Sequence, residues 1–196
     1  MTDFRALTIY AVRHGQTQDN VSQTITAQAD SPLTAPGRAQ ATAKGPILRA
    51  VVPDLGSVAF IASPLHRACV TMELMRAAAG LPALPYATDH RLQEMDFGDW
   101  TKLHQGDDRL VKGGPSAHDQ WDLVCPRGES EAMVHARVGR FLDSLAGDCV
   151  IVCHARVIAM LRSHVLDLSP AQTMSYEPSN TGLLRLAQGE ETFFGD

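Results

Sequence analysis

Positive charge is scarce in this sequence. Its 196 residues carry 17 Lys and Arg against 22 Asp and Glu, a net charge of −5. Proteins that bind nucleic-acid backbones usually present a basic face, so a broad surface of that kind is not expected. Any anion site must instead be a local concentration of cations. Long apolar runs are also missing, since no stretch approaches the roughly 20 residues a membrane span needs. Met1-Thr2-Asp3-Phe4-Arg5 lacks the charged-then-apolar order of a signal peptide. No membrane and no nucleic-acid partner is expected, and the setting expected is cytoplasmic. Cysteine is sparse, and Cys69, Cys125, Cys149 and Cys153 show no CxxC spacing. Cys149 and Cys153 share one strand-like run, which would set them about 13 Å apart, too far to bridge. Reduced thiols are expected. No HExxH-type spacing is present, so neither a metal nor another cofactor is expected.

What the chain does have is apolar residues in the right places. A 44% hydrophobic content suits one globular domain over 1–196 with a sizeable core. Leu7 to Val12 reads as a buried strand, and Gly15 lets the chain turn sharply after it. The stretch Gln16 to Ser31 is too irregular for an assignment. Thr34 looks like the N-cap of a helix running to about Ala50, with Pro36 in its first turn. Val58 to Ala62 reads as a second strand, followed by Ser63-Pro64 as N-cap and N1 of a helix ending near Gly80. Leu84 to Tyr86 reads as a short strand. From Thr101 to Arg127 the pattern weakens among glycines and prolines, which suggests a small inserted cap. Ser130 starts a helix in which Val134, Val138, Phe141, Leu142 and Leu145 keep helical spacing. Cys149 to Cys153 reads as a buried strand, a helix with Val157, Ile158 and Leu161 follows, and Thr181 to Ala187 forms a last strand. This alternation predicts an α/β fold, a three-layer α/β/α sandwich around a central, mostly parallel sheet.

Three strand ends carry the chemistry. The first delivers Arg13 and His14, the second delivers Arg67, and the Cys149–Cys153 strand delivers His154. If these strands are neighbours, two arginines and two histidines meet at one sheet edge, an unfavourable cluster unless an anion neutralises it. Helix N-termini near Ser63 and Ala155 would add partial positive charge. Each residue also has a plainer reading. Arg13-His14 could be a surface turn, Arg67 an exposed first-turn residue, Glu94 a surface carboxylate and His154 a satisfied core histidine.

The motifs together resemble the histidine phosphatase superfamily, also called the phosphoglycerate mutase-like family, over nearly the whole chain. The resemblance rests on Arg13-His14-Gly15-Gln16-Thr17 with Asn20, on Asp30 to Thr34 with Gly37-Arg38, and on Ser63 to Ala68. Leu92 to Trp100, Gly128-Glu129-Ser130 and Val152-Cys153-His154 complete the order. It implies that His14 attacks phosphorus through a neutral ring nitrogen and that Arg13, Arg67 and His154 hold the phosphoryl oxygens. Asn20 and the Ala155 backbone would contribute further donors. Glu94 would protonate the leaving oxygen and later accept a proton from water.

Departures from the family pattern bear on substrate. Thr24, Thr26 and Ala27 stand where many members carry an arginine and then glutamine-glycine. The stretch 101–127 has only Lys102, Arg109, Lys112 and Arg127 as cations, and Ala155-Arg156 follows His154 in place of the more usual glycine. The reading these favour is a metal-independent phosphomonoesterase acting on a small phosphorylated metabolite. The alternatives are a cofactor-dependent phosphoglycerate mutase and a non-catalytic phosphate-ligand binding protein. The natural substrate, the oligomeric state, and the roles of Arg156 and His66 stay open.

Overall fold

Alternate residues of the run 9–12 enter two different cores. Ile9 and Ala11 belong to one buried cluster, Tyr10 and Val12 to a second. A strand that is apolar on both faces needs helices on both sides. The computed structural model describes residues 3–108, 110 and 117–195, and the layers follow from that requirement.

The first half of the chain forms strand β1 (Thr8–Arg13), helices α1 (Gln18–Val21) and α2 (Ala35–Val51), strand β2 (Ala59–Ala62), helix α3 (His66–Ala78) and strand β3 (Ala87–Thr88). The second half forms helices α4 (Ala117–Asp122) and α5 (Glu131–Leu142), strand β4 (Cys149–Cys153), helices α6 (Ala155–Leu166) and α7 (Pro170–Met174), and strands β5 (Leu183–Ala187) and β6 (Glu190–Phe194). The strands make one sheet in the order β3-β2-β4-β1-β5-β6. The first four of these are mutually parallel, β5 pairs antiparallel with β1, and β6 pairs antiparallel with β5. Val134, Val138 and Phe141 of α5 and Val157 and Leu161 of α6 cover one face. Leu48 of α2 and Met72 and Met75 of α3 cover the other. The three-layer, mostly parallel arrangement expected from the alternation is what the chain adopts.

Several local expectations are corrected. Helix α3 starts at His66, its N-cap is Leu65, and no side chain caps it. Ser63 is not the cap because its backbone N–H still pairs with Val152 O (2.9 Å) and its hydroxyl meets His154 Nε2 (2.7 Å). Arg67 is therefore the second residue of the helix, still in its first turn. The short strand lies at Ala87–Thr88 rather than 84–86, beyond a cis Leu84–Pro85 bond. The expected last strand begins two residues later, and β6 follows it through a turn at Gln188 and Gly189, both at positive φ. Leu145 packs in the core but lies past the end of α5.

Thr34 does cap α2, accepting the Gly37 N–H at 3.0 Å, and Ser130 caps α5 through the Met133 N–H at 3.2 Å. In the irregular stretch 16–31 only α1 is regular, closed by a capping box between Thr17 and Asn20. Of the expected cap, Lys102 and Leu103 pair by backbone with Ile25, and α4 packs on α5 and α7. Arg109 and Lys112 lie outside the described residues. All four cysteines are free, and burial pushes the Cys149 thiol up to about 12.

Candidate active site

The parallel register brings the predicted strand ends together. The His14 N–H donates to Cys153 O (3.0 Å) just past the last β1–β4 pair, as Ser63 does to Val152 O across β2 and β4. Arg13, His14, Asn20, Arg67, Glu94 and Ala155 line one pocket of about 150 Å³ at the carboxyl ends of these strands. His154 is 0% exposed and sits beneath the pocket, its ring centroid 5.2 Å from that of His14. Arg156 is on the pocket wall, whereas His66 is exposed and is not among the residues lining this pocket.

Glycine at position 15 is required by close approach rather than by a positive φ. A Cβ there would run into the Gly37 carbonyl, and one on Gly37 would run into the Gln16 carbonyl. The loop after β1 is thus pressed onto the start of α2. It is also tied from the other side, because Gly15 N–H donates to Thr71 Oγ1 (3.1 Å), which donates to Arg67 O (2.7 Å).

His14 Nδ1 lies 2.7 Å from Gly15 O, a contact that requires the proton on Nδ1 and leaves the Nε2 lone pair free. Burial holds the His14 pKa well below the usual histidine value, and Arg67, Arg13 and Lys44 reinforce the effect against the Gly15 hydrogen bond. The ring is therefore neutral at neutral pH. His154 is held down in the same way, by burial first and then by Arg67 and His14. Its Nε2 meets Ser63 Oγ, and its buried Nδ1 has no partner.

Both arginines are anchored by backbone carbonyls. Arg13 Nη1 donates to Pro178 O (2.6 Å), while Arg67 donates to Ala29 O (2.9 Å) and Ala27 O (2.7 Å). Their buried Nε–H groups lack partners. An unsatisfied buried donor is costly, and two such guanidinium groups on residues lining one small pocket suit it to an anion. Asn20 Oδ1 is used up in accepting the Thr17 N–H (3.0 Å), which leaves its Nδ2–H₂ available.

Sequence reasoning missed the supports. Lys44 is 0% exposed and donates to Arg13 O (3.1 Å) and Asn180 O (2.6 Å), and Asn180 Nδ2 donates to His14 O (2.7 Å). Burial, with Arg13 nearby, lowers the Lys44 pKa to about 7. A lysine on the inner face of an amphipathic helix was the available signal. Glu94 is positioned through its backbone: its carbonyl accepts from Arg137 Nη2 (3.2 Å) and Gln28 Nε2 (3.1 Å). Arg137 is in turn paired with Glu129 (2.8 Å), which also accepts the Asp96 N–H (2.9 Å). Among the described residues no group of three or more His, Cys, Asp or Glu is arranged to hold a metal ion.

The family model for the histidine phosphatase superfamily (branch 1) matches residues 9–194. The "Probable phosphoglycerate mutase GpmB" of Klebsiella pneumoniae is 35% identical over 176 residues, covering 83% of this chain and 76% of that protein. A 2,3-bisphosphoglycerate-dependent phosphoglycerate mutase of Brucella melitensis is 32% identical over 186 residues, covering 90% and 89%. Among solved structures, a mycobacterial glucosyl-3-phosphoglycerate phosphatase superposes with a TM-score of 0.75 at 27% identity, covering 97% of this chain and 98% of that one. The α-ribazole phosphatase of Shigella flexneri gives 0.76 at 25% identity, covering 96% and 95%.

Proposed function

The chain belongs to the histidine phosphatase superfamily, and on that footing we propose that it is a phosphomonoesterase working through a phosphorylated His14. The observation that carries this reading is the state of His14 itself. Its Nδ1 proton is committed to Gly15 O, and its ring is kept neutral among unsatisfied cationic donors.

Nε2 of His14 attacks phosphorus while the ester P–O bond breaks. Charge on the phosphoryl oxygens is met by Arg13, Arg67 and the Nδ1–H of His154, with Asn20 Nδ2 and the Ala155 N–H at the start of α6 as neutral donors. Ser63, by donating to His154 Nε2, keeps that second proton on Nδ1. Glu94 gives its proton to the leaving alcohol, then takes one from the water that attacks the phosphohistidine. Inorganic phosphate leaves and His14 returns to its starting state. The positive charge comes from guanidinium groups, so the reaction proceeds without a metal. Four free cysteines accord with a reducing, cytoplasmic setting.

The mutase-named relatives support a second reading, in which the phosphoryl group returns to a different oxygen. Hydrolysis is favoured because Thr24, Thr26 and Ala27 supply no extra cation to the wall, and because structures similar over their whole length are named as phosphatases. A purely ligand-binding role would have no use for both His14 and Glu94.

Release of phosphate from p-nitrophenyl phosphate in excess chelator is the expected result, and a strict divalent-metal requirement would overturn the mechanism. His14→Ala should lose at least about 10⁴-fold in kcat. Acid-labile, alkali-stable phosphate should label the wild type and not that variant. Isomerisation of 3-phosphoglycerate, primed with the 2,3-bisphosphate and faster than hydrolysis, would establish the mutase instead.

A further inference from the structure

A second cavity, of about 360 Å³, opens beside the phosphate pocket and shares Ile25, Phe97 and Arg156 with it. Trp100, Leu123, Cys125 and Met174 make most of its wall apolar. Glu131, the first residue of α5, also lines it and is only 6% exposed. Its Oε1 pairs with Arg156 Nε at 3.2 Å, and its buried Oε2 has no hydrogen-bond partner. An unsatisfied carboxylate oxygen against apolar walls is as unfavourable as the unsatisfied donors around His14, and a donor on a ligand would relieve it.

The phosphate pocket is richer in guanidinium groups than the second cavity, where the unpartnered polar atom is a carboxylate oxygen. The phosphoryl end holds Arg13 and Arg67. Glu94, Glu177 and Arg156 also line that pocket, and the second cavity beyond holds Glu131 beside Arg156, whose guanidinium lies 4.0 Å from Glu177. A substrate that fills the phosphate pocket and also partners Glu131 Oε2 carries a phosphate at one end and a cationic donor at the other, with an apolar body between. Burial raises the Glu131 carboxyl and the neighbouring Glu94 adds to the rise, while Arg156 opposes it. An incoming cation would have the same sense as Arg156 and favour the ionised form.

We propose that this cavity is the leaving-group subsite, and that it selects monophosphate esters of amino alcohols with an apolar or aromatic body, the ammonium donating to Glu131 Oε2. This rests on the hydrolytic reading of the first pocket, which supplies the phosphate end. Arg156 then acts as a counter-charge that holds Glu131 in place without satisfying it.

The test uses three aryl phosphates of similar size that differ only at the para substituent: 2-aminoethyl, propyl and carboxymethyl. The wild-type kcat/KM should favour the ammonium ester over the propyl ester by about tenfold, and the carboxylate ester should be poorest. Glu131→Gln should bring the ammonium-to-propyl ratio close to one. Arg156→Gln, which removes the competing cation, should raise the ratio. The wild-type ranking needs no variant, so a poorly folding Glu131→Gln does not rescue the idea. Equal rates for the three esters, or preference for the carboxylate, would overturn it. Calorimetry with His14→Ala reads the same ranking as affinities. A binding preference without wild-type turnover defeats the hydrolytic reading and leaves the subsite standing, while turnover without preference defeats the subsite alone.

Discussion

The two cavities differ in how their polar groups are held. Around His14 each cation is tied down by main-chain carbonyls: Arg13 by Pro178, Arg67 by Ala27 and Ala29, Lys44 by Arg13 and Asn180. Those carbonyls are main-chain atoms, so the donors cannot drift without moving backbone. In the neighbouring cavity the wall comes from short segments around Phe97, Leu123 and Met174, and its one buried carboxylate is held by a single side-chain pair. Charge stabilisation needs preorganised donors, and these are fixed by the fold itself. Discrimination among leaving groups needs only shape and one or two polar contacts, which side chains from loops can supply. The comparison implies that damage near His14 spreads into stability and rate, while damage in the other cavity changes selectivity.

Lys44 provides the largest effect. Its pKa is about 7 in the folded chain against 10.5 for an ordinary lysine. Between those values the unfolded chain binds more protons than the folded one, so stability rises with pH across that window. Below pH 7 both states are protonated, and the cost of burying the charge is fully present. Replacing it by Met removes this dependence along with two hydrogen bonds. Urea unfolding of wild type and Lys44→Met between pH 7 and 10 should show the wild type gaining on the variant, on the order of a few kcal/mol over the range. Parallel pH dependences would mean that Lys44 is solvated, and that the floor beneath His14 is looser than its hydrogen bonds imply.

Ser63→Ala tests the same region more gently. It leaves His154 Nε2 without its 2.7 Å partner and frees the ring to change tautomer. With the proton no longer held on Nδ1, one donor to the phosphoryl group is lost for part of the time. A fall of about tenfold in kcat/KM is expected, read with a single aryl ester. Imidazole C–H and N–H resonances of His154 should show the mixed tautomer. An unchanged rate would remove His154 from the machinery and restore the plainer view of it as a core histidine.

How much of this was legible in the sequence differs between the cavities in the same way. The strands were visible because Ile9 to Val12 and Cys149 to Cys153 are apolar on both faces, and their parallel pairing placed Arg13, His14 and His154 together. Ser63 was misread as a helix cap because Ser-Pro suits that position, yet its hydroxyl is taken by a histidine 91 residues away in sequence. Lys44 was hidden because lysine on a helix ordinarily faces water, and only the convergence of two carbonyls shows why this one does not. Glu131 was hidden for a related reason. It reads as a favourable first-turn carboxylate at a helix N-terminus, and its burial without a partner arises only in the folded chain, where it shares a cavity wall with Met95, Trp100 and Met174. Long-range pairing of polar side chains leaves no local pattern to read.

The smallest effect belongs to the apolar wall. Met174, at the end of α7, is half-buried and touches the second cavity but not the first. Met174→Ala removes apolar contact that only the body of a larger ester can use. With roughly 0.8 kcal/mol per buried methylene and partial burial of the side chain, a loss of about threefold is expected. It should appear in the kcat/KM ratio of an aryl phosphate to a short alkyl phosphate, because the short ester ends before reaching the wall. A loss shared equally by both esters would show that the wall supports the phosphate pocket rather than the leaving group. In that case the contrast between a backbone-fixed centre and a side-chain-built rim fails at its outer edge, where it is easiest to break.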